Sequence, residues 1–135
     1  MSEVVNNKKR PGKMRLIDAT GYRLPLAGFV SILHRASGMF LFLLLPFILY
    51  LLDLSLKSVN SFYEMKYLAS GVLVKLVILA LSWSYLHHFC AGIRHLLMDF
   101  HIGLEKDSAR TSAVLVLLIS LSLTALVALK LFGVF

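Results

Sequence analysis

Three stretches of the chain are apolar almost without interruption, and the polar residues gather between and before them. Residues 36–52, ASGMFLFLLLPFILYLL, carry no charge. With the residues just before them they make about 20 residues, the length that crosses roughly 30 Å of hydrocarbon. Pro46 lies inside this run; it removes one helical hydrogen bond and predicts a kink. Residues 67–93 form a second run in which Lys75 is the one fixed charge, and residues 111–129, TSAVLVLLISLSLTALVAL, form an uncharged third. A backbone in lipid must satisfy its own hydrogen bonds, so each run predicts a spanning helix. The expected fold class is all-α integral membrane with three transmembrane helices, over about 29–55, 67–97 and 110–134. They form an anchor domain, 29–135, behind a basic segment, 1–28, with a loop over 53–66.

Composition agrees with this pattern. The hydrophobic fraction is 59%, above the roughly 45–50% of soluble domains, and mean hydropathy is +0.81. The net charge of +7 is unevenly placed: the first 35 residues hold seven Lys/Arg, the 94–110 segment three and the 53–66 loop two. By the positive-inside rule the N-terminus and the second loop are cytoplasmic. The basic segment then reads as a topology and headgroup signal, not as a nucleic-acid arm. The first apolar run is long for a signal peptide and has no small-residue cleavage site after it. The single cysteine, Cys90, allows no intrachain disulfide and reads as a small packing residue.

That orientation brings two polar clusters to the same leaflet. Ser31, His34, Arg35 and Gly38 form a stripe where the first helix starts. Where the second ends, Ser84, His88, Ala91, Gly92, His95 and Asp99 form another, with His87, Arg94 and Met98 beside it. Ionisable groups inside a membrane are expensive and point to function; the plain alternative is that His95, Asp99 and His101 sit at the interface, where Lys and Arg near helix ends also snorkel. A b-type haem wants axial imidazoles and partners for its propionates. His88 with Ala91 and Gly92 offers a ligand and a gap, and His34, Arg35 and His95 offer propionate partners. A quinone wants hydrogen-bond donors and a proton route: Ser31 and Arg35 can donate, and Asp99 or a histidine can relay protons. Zinc fits poorly, since His87 and His88 face different ways and His88 and His95 lie two turns apart. No phosphate loop, nucleophile elbow or CxxC is present. Asp53 and Lys75 read as interfacial or packing residues, and Trp83 and Tyr85 take no role.

SILHRASG at 31–38 and HFCAGIRHLLMD at 88–99 resemble the two signature regions of the cytochrome b membrane-anchor subunits of succinate dehydrogenase. The second matches His-x-x-x-Gly-apolar-Arg-His-apolar-x-Met-Asp at each defined position, and the first matches Ser-x-x-His-Arg-x-Ser. Arg10-Pro11 resembles an upstream Arg-Pro of the family, although Gly12 follows it where the family has an apolar residue. The resemblance implies that His88 is a haem b axial ligand, with the other axial histidine supplied by a second small anchor subunit. It implies haem propionate contacts at His34, Arg35 and His95, a ubiquinone site at Ser31, Ile32 and Arg35, and a proton-route carboxylate at Asp99. His87 matches no defined position of the motif.

The expected function is thus a membrane anchor of succinate:quinone oxidoreductase that passes electrons to ubiquinone. An iron–sulfur subunit and a flavoprotein subunit carry the upstream steps, since one cysteine cannot hold a cluster. No catalytic residue for succinate oxidation and no nucleic-acid partner are expected. The expected setting is a bacterial inner membrane in preference to a mitochondrial one. A fumarate reductase anchor is the alternative within redox chemistry. A small transport subunit is the alternative from another class, but it would carry polar residues along the depth of several helices, and here they gather at one end.

Overall fold

The computed structural model describes residues 24–133, so Arg10-Pro11 and the basic residues of the N-terminal segment lie outside the described residues. Those described are all helical, with no strand: α1 (Leu26–Leu43), α2 (Leu45–Lys57), α3 (Val59–Ser70), α4 (Val72–Asp99) and α5 (Lys106–Leu131). Three of them, α1, α4 and α5, are long and apolar enough to cross a membrane, as the hydrophobic pattern predicts. The chain is a multi-pass membrane protein.

Proline sets both ends of α1. Pro25 stands extended at the N-cap, where its missing N–H costs nothing, and its carbonyl accepts from Gly28 at 2.9 Å and Phe29 at 3.1 Å. At the other end Pro46 cannot donate to the carbonyl four residues back. The helix gives way at Leu44 (φ −92°, ψ 2°) and resumes at once, with Ile48 N–H donating to the Leu44 carbonyl at 3.1 Å. The expected kink is therefore a one-residue interruption that separates α1 from α2.

The 53–66 segment, expected as a loop, is largely helical. Ser58 and Ser61 form a capping box: the Ser61 N–H donates to Ser58 Oγ at 3.1 Å, and the Ser58 N–H donates to Ser61 Oγ at 2.9 Å. The reciprocal bonds satisfy two otherwise orphaned donors and start α3. Serine stands here where glutamate is usual, so the sequence signal is weak. Exposed Phe62, Tyr63 and Tyr67 beside Glu64 and Lys66 give α3 the make-up of a helix at a water–lipid boundary.

Helix α4 is the centre of the bundle. Both α1 and α5 pack along it and also touch each other, while α2 and α3 pair at the far end. The core between the three spans is thin: Val30, Ala91, Ala113 and Val116 form its buried apolar cluster. Lipid tails are as apolar as leucine, so nothing drives large side chains inward; small residues let the backbones approach instead. The buried polar residues Ser37, Ser84, His87, Arg94 and Ser120 lie in the same seams.

Candidate functional site

The seam between α1 and α4 gathers three histidines. The rings of His34 and His88 stack at 4.1 Å between centroids with 14° between planes, and His95 tilts against His34 at 5.0 Å and 44°. One backbone carbonyl organises them. His34 O accepts from Ser37 Oγ at 2.8 Å and from His88 Nδ1 at 3.0 Å. A carbonyl can only accept, so His88 Nδ1 carries a proton, and in the neutral ring Nε2 is the nitrogen with the lone pair. The Ser37 hydroxyl, 3.3 Å from the same Nδ1, has given its proton to His34 O and is free to accept.

Glycines make room for this arrangement, and unequally. A Cβ at Gly38 would lie 2.8 Å from His88 Cε1 and 3.2 Å from Nδ1, so the His88 ring occupies the space that any side chain there would need. At Gly92 the corresponding distance is 3.6 Å to His34 Nε2, an ordinary contact. The sequence placed Gly38 on the right stripe without a role and gave the clearance to Ala91 and Gly92. Ala91 instead is fully buried in the core with Val30, Ala113 and Val116. Further along the seam between α1 and α4 lies a cavity of about 190 Å³ lined by Ala36, Ser37, Phe40, Ala80, Trp83 and Ser84. Ser84 is one turn from His88, and its buried Oγ has no partner among the described residues.

The neighbouring histidine has other company. His87 is fully buried, stacks on Trp83 at 5.6 Å and 21°, and places Nδ1 3.4 Å from Ser120 Oγ on α5. Its Nε2 is buried without a hydrogen-bond partner among the described residues. Arg94 also leaves the α1 side. Six residues on from His88, it points about 120° away round the helix, and it donates from Nε to Ser112 Oγ at 3.0 Å and from Nη2 to the Ala109 carbonyl at 3.5 Å. Of the remaining predicted residues, Ser31 is half-buried, Ile32 and Arg35 are exposed on α1, and Asp99 is exposed as the last residue of α4. His101 adopts the left-handed conformation, φ 61°, in the turn after α4. Lys75 lies over the Phe132 ring, 5.6 Å from its centroid. Among the described residues no set of three His, Cys, Asp or Glu side chains is arranged to hold a metal ion by itself.

Three lipid-length helices, with a histidine cluster held in the seam of two of them, define a helical membrane subunit with an interhelical polar site. Residues 6–127 match the family of succinate dehydrogenase/fumarate reductase transmembrane subunits. The chain is 36% identical over 115 residues to the succinate dehydrogenase cytochrome b556 subunit of Coxiella burnetii, covering 84% of this chain and 90% of that one. It is 34% identical over 118 residues to the subunit of the same name from Rickettsia prowazekii, covering 87% and 90%. The Paracoccus denitrificans subunit is 32% identical over 92 residues, covering 68% and 71%. The chain belongs to the cytochrome b556 membrane subunits of succinate dehydrogenase.

Proposed function

We propose that the chain binds one haem b together with a second anchor subunit and forms part of the site at which succinate:quinone oxidoreductase reduces ubiquinone. The observation that carries this reading is the state of His88. An axial imidazole needs one nitrogen free and the other held, commonly by a backbone carbonyl that fixes tautomer and ring orientation. His88 has this arrangement, with Nδ1–H on the His34 carbonyl and Nε2 unengaged among the described residues. Gly38 and Ser37 keep the side chains small around the ring. The name cytochrome b556 borne by the relatives agrees with a b-type haem. When bound, the haem supplies a one-electron carrier; the chain supplies its binding, orientation and electrostatics.

The second ligand falls to another chain, as the family resemblance implies, and the position of His34 agrees. His34, stacked at 4.1 Å on His88, leaves no room for a macrocycle between the two rings. With His95 and Arg35 it would hold the propionates, which need cationic or hydrogen-bonding partners. Ser31 and Arg35 donate to the quinone oxygens, Ile32 provides an apolar wall, and Asp99 carries protons from the water side. This end of the bundle faces the cytoplasm by the positive-inside rule, where the iron–sulfur and flavoprotein subunits dock. The succinate direction is preferred to fumarate reduction because the relatives are named succinate dehydrogenase subunits.

The test is a reduced-minus-oxidised spectrum of the assembled complex. His88→Ala should remove or disturb the low-spin b band, whereas His87→Leu should keep it. An unchanged band in His88→Ala sinks the ligand assignment, and loss of the band only in His87→Leu transfers it to the neighbour.

A further inference from the structure

The polar groups of α4 that turn away from the histidine seam are not used by this function, and one of them is a buried cation. Arg94 is 5% exposed. Its two hydrogen bonds go to neutral oxygens, and among the described residues no carboxylate pairs with it. A charge taken out of water without a counter-charge is costly. Arg94 lines a groove of about 340 Å³ between α4 and α5, whose walls include Cys90, Ile93, Leu97, Leu115 and Ile119. That volume is at the lower end of small-ligand sites. Nη1 has no partner among the described residues.

The mouth of the groove adds a second set of donors. Ser108, in the first turn of α5, lines it. Glu105 stands at the N-cap without a side-chain cap bond, which leaves first-turn N–H groups open, while Asp107 in that turn offsets the helix dipole. The exposed side chains around this turn, Glu105, Lys106, Asp107 and Arg110, cancel in formal charge. The attraction for an anion therefore rests on the guanidinium, with the open first-turn N–H groups as further donors.

We infer that this groove binds an anionic phospholipid, with its phosphate on Arg94 and the first turn of α5 and an acyl chain along the apolar wall. A phosphate satisfies the guanidinium with charge-assisted bonds, which a neutral quinone or an apolar helix does not. The groove opens about 120° round α4 from His88, so the lipid occupies a face separate from the histidine seam.

Cys90, half-buried in the groove wall, is a built-in reporter. The purified complex, stripped of lipid in neutral detergent, is labelled with a maleimide, and the label on this subunit is read by mass spectrometry. Added phosphatidylglycerol should slow Cys90 labelling roughly tenfold more than phosphatidylcholine does, the effect of one good charge-assisted contact. Arg94→Gln should abolish that preference. Leu115→Trp, which fills the groove and leaves the Arg94 bonds intact, should abolish protection by either lipid, and it decides the matter if Arg94→Gln fails to assemble. Equal protection by both lipids overturns the proposal. So does protection by ubiquinone or by inorganic phosphate alone, or a Cys90 that stays unreactive in the stripped complex because a partner subunit covers it.

Discussion

Gly38→Ala tests the geometry of the histidine seam with a single methyl group. The new Cβ would stand 2.8 Å from His88 Cε1. Carbon atoms prefer about 3.5–4.0 Å, so the ring must retreat by about 0.7 Å. His88 Nδ1 lies 3.0 Å from the His34 carbonyl, and a shift of that size stretches the bond past the roughly 3.2 Å limit of a good N–H···O contact. Overpacking costs about 1–3 kcal/mol and the lost bond about 1 kcal/mol. Alanine returns about 1 kcal/mol through helix propensity. The net loss is about 1–3 kcal/mol, taken at the residue that fixes the proposed ligand. Gly92→Ala is the matched control: its Cβ meets His34 Nε2 at an ordinary 3.6 Å, so it should gain up to about 1 kcal/mol in helix propensity. The assay is the b-band amplitude per complex, with the haem midpoint potential and the thermal midpoint of the detergent-solubilised complex. Gly38→Ala should lower the amplitude and move the potential; Gly92→Ala should do neither. A wild-type band and potential in Gly38→Ala would refute the argument, and equal damage from Gly92→Ala would show that crowding of His88 is not its cause.

Two further outcomes are expected. Arg35→Ala should lower ubiquinone reduction while electron transfer from succinate to a soluble dye is spared; equal loss of both would give Arg35 an assembly role instead. Ser58→Ala removes the capping box of α3 and should cost about 1 kcal/mol locally. It should be read as faster amide exchange over residues 59–63 with the b band unchanged, and unchanged exchange would remove the cap from the account of that segment.

The three spans were legible in the sequence because lipid imposes one strong condition, about 20 residues without unpaired charge or open backbone. Residues 36–52, 67–93 and 111–129 meet it with almost no ambiguity. The family was legible as well, since His88, Gly92, Arg94, His95, Met98 and Asp99 keep a fixed spacing on one helix. Helix α3 was not, because its start depends on a serine capping box that looks like ordinary loop composition, and the break at Leu44 was foreseen only as a kink at Pro46.

The face that each side chain takes was the other part the linear pattern left open. Spacing groups residues on one helix, yet it does not say which neighbour that helix shows to each stripe. Ala91 looked like clearance beside His88 and went into the core, while Arg94 looked like a member of the same cluster and turned to Ser112 on α5. His34 and His88 are 54 positions apart, and their stack depends on the rotation of α1 against α4. The sequence alone determined that the chain spans a membrane and that its histidines gather near one end of the spans. Tertiary structure decided that the carbonyl of His34 holds His88, that Gly38 is the residue making room for it, and that His87 is sealed against Trp83 and Ser120. These depend on contacts between helices, where a rotation of one residue, about 100°, exchanges a seam for a lipid face.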